Sequence, residues 1–89
     1  MNKVFLSGKV SKAPEVAYTP KGRKIIMFPI WIEEGDFTVD IIYAGEPVPR
    51  ALDKTMGGTV MVAGELVRTK LQARDVLKVK ASKILWMEE

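Results

Sequence analysis

Residues 2–22 read NKVFLSGKVSKAPEVAYTPKG. The stretch opens on strict alternation, with Val4, Leu6, Gly8 and Val10 on one side and Lys3, Phe5, Ser7 and Lys9 on the other. A period of two marks a strand with one face buried. Pro14 interrupts the pattern, a short extended piece follows, and Thr19-Pro20-Lys21-Gly22 closes it. Proline presets the backbone at the second position of a type I turn and glycine suits the fourth, so a tight turn is expected there. The chain beyond that turn is expected to pair with the first strand.

Working outward, Arg23 to Ile32 forms the second strand. Its even positions Ile26, Phe28, Ile30 and Ile32 are apolar, but so are Ile25, Met27, Pro29 and Trp31. A strand apolar on both sides is either buried on both or carries a binding surface. Pro29 cannot donate to a ladder, which implies an edge or a bulge beside it. Glu33-Glu34-Gly35-Asp36 reads as a short hairpin turn, with Gly35 expected at positive φ. The third strand runs from Phe37 to Ala44. Its period puts Phe37, Val39, Ile41 and Tyr43 inside and leaves Asp40 outside, where a carboxylate carries no desolvation cost.

From Gly45 to Gly58 the alternation breaks. Residues 49–56 read as two helical turns, with Pro49 at the first helical position and Gly57-Gly58 as the stop. A fourth strand follows from Thr59 to about Lys70, with a bulge expected at Gly64. After a turn at Gln72–Asp75, the fifth strand runs from Val76 to Met87. Three strands, a short helix and two strands make a single all-β domain over residues 1–89, the layout of an OB-fold, a five-stranded Greek-key barrel. An SH3-like barrel competes, but gives no reason for a helix between strands three and four.

Composition narrows the function. With no cysteine and no histidine in 89 residues, disulfides, thiolate metal sites and the commonest general base are all missing. Ser7, Thr38 and the scattered carboxylates have no histidine partner, so no enzyme, cofactor or metal site is expected; Glu33, Glu34 and Asp36 read as a solvated turn. No apolar run approaches a membrane span and no signal segment opens the chain, which implies a cytoplasmic protein with no membrane partner. The net charge is only +3, but unevenly placed. Residues 1–30 hold six basic residues and one acid, residues 31–65 two and seven, and residues 66–89 six and three. Should the two basic ends lie side by side, they make the positive face of a polyanion binder.

Several segments resemble the bacterial single-stranded DNA-binding protein family. Asn2-Lys3-Val4-Phe5-Leu6-Ser7-Gly8-Lys9-Val10 is similar to the family's opening strand. Pro14-Glu15-Val16-Ala17-Tyr18-Thr19-Pro20-Lys21-Gly22 resembles its P-E-x-R-Y-T-P-x-G segment, with Ala17 where arginine is usual. Phe28–Trp31, Gly64–Thr69 and Ala81–Met87 resemble its later strands. Leu6-Ser7-Gly8 and Lys12-Ala13-Pro14 are more similar still to primosomal replication protein N, a short relative active in replication restart. The glycine-rich linker and acidic tail of full-length members have no counterpart before Glu89. What the resemblance implies is an OB-fold that binds single-stranded DNA as a homodimer or homotetramer, with replication or primosome proteins as further partners.

Binding single strands without sequence preference takes cations along the phosphates and aromatic faces under the bases. The basic candidates are Lys9, Lys12, Lys21, Arg23 and Lys24 near the first turn, and Arg68, Lys70, Arg74 and Lys78 around the last hairpin. Those last four match, by position in the hairpin, basic residues implicated in binding in the primosomal relative. Trp31 is a candidate for stacking or for a subunit interface. The family's third-strand aromatic aligns with Phe37, a second stacking candidate beside a weaker Tyr43, against the inward register that periodicity gives. Leu71 stands where the family has a stacking tryptophan. Phe5 and Trp86 read as interface or packing residues. The expected function is therefore single-stranded DNA binding in replication, repair or restart; a protein-interaction adaptor and an RNA-binding OB domain are the alternatives.

Overall fold

The alternation of apolar residues produces strands wherever it occurs. A computed structural model describes residues 1–44, 58–71 and 74–87. It contains β1 (Val4–Val10), β2 (Glu15–Tyr18), β3 (Lys24–Ile32), β4 (Phe37–Tyr43), β5 (Thr59–Leu71) and β6 (Arg74–Met87). The sixth strand, absent from the five-strand reading, is β2, the short extended piece after Pro14. The helix expected over residues 49–56 lies outside the described residues.

The turn after β2 explains a difference in pairing. Gly22 N–H donates to the Thr19 carbonyl at 2.8 Å and Thr19 N–H to the Arg23 carbonyl at 2.8 Å, with Gly22 at φ 82°. A turn this tight joins the segments that flank it, so β3 pairs with β2 from Glu15↔Met27 to Tyr18↔Lys24. It meets β1 only at Lys9↔Trp31 and Val10↔Ile30, not along the length expected. Pro29 falls in the interval between these two partners. Its carbonyl accepts from Ser11 N–H at 3.1 Å. Because N–H and C=O of one strand residue share an edge, the donor that proline lacks would have faced this gap and not the β4 ladder.

The sheet order is β1-β5-β6-β4-β3-β2, and the extra β1–β3 pairing closes it on itself. Inside lie Val10, Ile26, Phe28, Ile30, Ile32, Ile41, Val60, Val62, Val79 and Ala81, with no buried polar residue among those described. Phe28 also packs against Trp86, ring centroids 5.6 Å apart. The inward register of β4 holds at Val39, Ile41 and Tyr43, and Asp40 is exposed, but Phe37, expected inside with them, is exposed at the strand's start.

Two glycines set the curvature. A Cβ on Gly8 would stand 2.5 Å from the Trp31 carbonyl oxygen and 3.1 Å from Ile32 Cδ1. Only hydrogen fits where β3 crosses β1. A Cβ on Gly64 would run into the Lys80 carbonyl. The register shift there falls between Ala63 and Gly64, but the extra residue is Ser82 on β6, whose Oγ donates to the Ala63 carbonyl at 3.1 Å. One added residue exchanges the two sides of a strand. Before the bulge Val79 and Ala81 face the core; after it Ile84 and Trp86 pack against the core while Leu85 and Met87 face out.

Gly8→Ala is therefore expected to destabilise the fold by about 1–3 kcal/mol, the usual cost of overpacking. Urea unfolding measures this as a lower midpoint; an unchanged midpoint would mean the strands do not cross so closely.

Candidate nucleic-acid interface

The odd positions of β3 are apolar yet turned away from the core, and Ile25, Met27, Pro29 and Trp31 are all half-buried. Across β4 they meet a second row through the pairs Met27↔Ile42, Pro29↔Asp40 and Trp31↔Thr38. Beyond β4 lies β6, whose parallel register places Lys80 beside Ile42. The result is an apolar strip on the outside of β3 and β4 with cations along its borders. A groove of about 330 Å³ follows it, lined by Lys12, Met27, Thr38, Asp40, Ile42 and Lys78 among others.

Trp31 stands at one end of this strip, opposite Lys9 of β1. Its indole Nε1–H donates to Asp36 Oδ1 at 3.0 Å, which fixes the ring over the β3–β4 turn. Asp36, and not Gly35, takes the positive φ in that turn, at 52°. A short polar side chain tolerates the left-handed region through local hydrogen bonds. Gly35 has a different role: a Cβ there would strike the Phe37 ring, which lies against it.

The expected cations and aromatics divide between several surfaces. Lys12 and Lys78 line the groove over the middle of the strip, whereas Lys9 and Trp31 stand at its end, in a smaller groove shared with Glu33 and Glu34. Lys21, Arg23 and Lys24 are exposed at the opposite end of β3, with Lys24 about 23 Å of strand away from Trp31. Lys24 pairs with Tyr18 on the Ile26 side, turned away from Met27. Within the β5–β6 hairpin, Arg68 opposes Leu77 and Lys70 opposes Asp75, whereas Val67 opposes Lys78 and Leu71 opposes Arg74. Arg68 and Lys70 thus occupy one side of the arm, Arg74 and Lys78 the other. Only the second side continues the strip. Phe37, 48% exposed, shares its side with Ile32 rather than with Trp31. Tyr43 is half-buried against the core.

Lys80 and Ile42 join the strip without being among the residues expected there; both are outward positions that alternate with the buried Val79 and Ile41. A second apolar surface covers the outside of β1, β5 and β6. There Phe5 is 76% exposed, and Met61, Leu85 and Met87 are exposed beside it. Phe5, Met61 and Leu85 border a groove of about 340 Å³.

No family model and no curated protein matches the sequence. Solved structures do match. The single-stranded DNA-binding protein from Thermus aquaticus superposes with a TM-score of 0.84 at 22% identity, over 100% of this chain and 41% of that one. A deletion variant of it gives 0.83 at 23%, over 100% and 42%. The Plasmodium falciparum single-stranded DNA-binding protein in complex with single-stranded DNA gives 0.75 at 19%, over 99% and 96%. The chain shares the fold of single-stranded DNA-binding proteins. It spans less than half the length of the Thermus aquaticus protein and nearly all of the Plasmodium falciparum one.

The hydrogen bond from Trp31 to Asp36 has a measurable consequence. Asp36→Gly removes the acceptor while keeping a residue suited to positive φ. In a Trp86→Phe background, where only Trp31 emits, this change is expected to increase acrylamide quenching and to cost about 1 kcal/mol of stability. Identical quenching in the two proteins would show that the contact does not hold the ring.

Proposed function

We propose that this chain is a single-stranded DNA-binding protein of the bacterial family, its closed sheet a Greek-key barrel and its outer β3–β4 face the DNA path. One observation carries the reading: Trp31, Met27 and Ile42 form an apolar strip bordered by Lys9, Lys12, Lys78 and Lys80, on a fold shared with proteins that bind single strands. Bases stacked along the strip leave the strip's apolar surface covered, and the lysines neutralise phosphates at its borders. Arg74 extends the same side of the hairpin arm, and Lys21 and Arg23 extend the positive charge at the far end of β3. The role we assign is in replication, repair or restart, in the cytoplasm and without catalysis.

Phosphate contacts set the salt dependence. Four lysines on single-stranded phosphates give a slope of log K against log salt of roughly −3. Titration of oligo-dT monitored by Trp31 emission is expected to show this slope, with Lys12→Ala and Lys78→Ala each reducing it by about 0.7. By anisotropy of a dye-labelled oligo-dT, Trp31→Ala is expected to weaken binding about 5- to 150-fold, the range for loss of one stacked base. A slope near zero, or oligo-dT binding unaffected by all three variants, would move the site elsewhere.

The outer face of β1, β5 and β6 supports self-association as a homodimer or a larger homo-oligomer. Phe5, Met61 and Leu85 expose contiguous apolar area with few charges, the composition of a subunit interface core. Phe5→Glu is expected to shift the sedimentation coefficient to that of a monomer while leaving far-UV circular dichroism unchanged. If the wild type and the variant sediment alike, this face is not the contact.

A further inference from the structure

Two carboxylates line the proposed DNA path: Glu15, paired with Met27 at the β2 border, and Asp40 in the middle of the strip. Asp40 is exposed on the outside of β4, opposite Pro29 of β3. Along the strip it falls between the pair Trp31↔Thr38 and the pair Met27↔Ile42, about 7 Å of strand from each. It lines the same groove as Lys12 and Lys78. Its oxygens take part in none of the side-chain hydrogen bonds among the described residues. A negative charge between phosphate-binding lysines weakens contact with every phosphate that passes. Its position favours groups that donate hydrogen bonds, and on a single strand those are base edges.

We propose that Asp40 is a specificity-determining residue that selects guanine at one position of the bound strand; this rests on the single-stranded DNA reading above. An ionised carboxylate has two acceptor oxygens and no donor. The Watson–Crick edge of guanine offers two adjacent donors, N1–H and the N2 amino group, which match both oxygens at once. Cytosine and adenine each present one amino donor beside a ring-nitrogen acceptor, so they make one bond and face one repulsion. Thymine presents N3–H between two carbonyl oxygens, the least favourable edge of the four. A base stacked at Trp31 or over Met27 and Ile42 turns its edge along the strip toward Asp40. In a single strand that edge is unpaired and open to reading.

The test compares three oligomers of equal length: oligo-dT, alternating thymidine and deoxyguanosine, and alternating thymidine and deoxyinosine. Hypoxanthine keeps N1–H and lacks only the N2 amino group. Wild-type protein is expected to bind the guanine oligomer at least about fivefold more tightly than the other two, the lower end for a bidentate base contact. Asp40→Asn should abolish that preference and bind oligo-dT more tightly, because a charge that repels phosphates is gone. Glu15→Gln, which removes the groove's other carboxylate, should bind oligo-dT more tightly yet keep the guanine preference, and Asp75→Asn, on the far side of the hairpin arm, should change neither. Equal binding of the three oligomers by wild type, or a preference that survives in Asp40→Asn, overturns the base selection alone. Failure of all three to bind overturns the single-strand reading and the selection with it.

Discussion

The crossing of β3 over β1 at Gly8 is the contact on which the rest of the structure depends. The Trp31 carbonyl occupies the space a Cβ would need, 2.5 Å from its position. That approach allows the pairs Lys9↔Trp31 and Val10↔Ile30, which close the sheet. Closure has two effects. It seals Val10, Ile30 and Ile32 into one core, and the period of two then leaves the apolar odd positions of β3 facing out as a strip. The same pairing places Lys9 beside Trp31. A cation and an aromatic residue thus become neighbours through a backbone pairing.

Core and surface are coupled a second time at Gly64. The close approach of the Lys80 backbone and the extra residue Ser82 exchange the sides of β6. Without the bulge, Leu85 and Met87 would follow Val79 and Ala81 inward. With it, Ile84 and Trp86 pack against the core, and the displaced side chains join Phe5 and Met61 on the outer face. The two apolar surfaces of the molecule therefore have separate origins. One follows from a strand apolar on both sides, the other from a single inserted residue.

This difference explains what could be read in the sequence. Alternation in β1 and β4 is legible, and the choice that leaves Asp40 exposed follows from it, although Phe37, expected inside, is exposed. Strand β3 is apolar on both sides, and only the structure tells its inner side from its outer one. Gly64 marked the irregularity in β5 and β6, but glycine shows only where the backbones approach. It does not show which strand holds the extra residue. That β3 pairs mainly with β2 and meets β1 at only two positions was hidden because a four-residue strand has too short a pattern to register. The exchange of roles between Gly35 and Asp36 was hidden because only the orientation of the Phe37 ring, two residues on, reveals what Gly35 leaves room for. The basic residues were visible as a cluster, but hairpin register splits them. Arg68 and Lys70 turn to one side, Arg74 and Lys78 to the other, and charge counts carry no side.

The central claim is that the outside of β3 and β4, and not the outside of β1 and β5, meets a single strand. Backbone amide chemical shifts recorded while oligo-dT is titrated into the 15N-labelled protein test it directly. Changes are expected at Met27, Trp31, Thr38, Ile42 and Lys78, together with the Trp31 indole N–H, and little change at Phe5, Met61 and Leu85. Changes centred on Phe5, Met61 and Leu85, with the Trp31 indole unmoved, would contradict it.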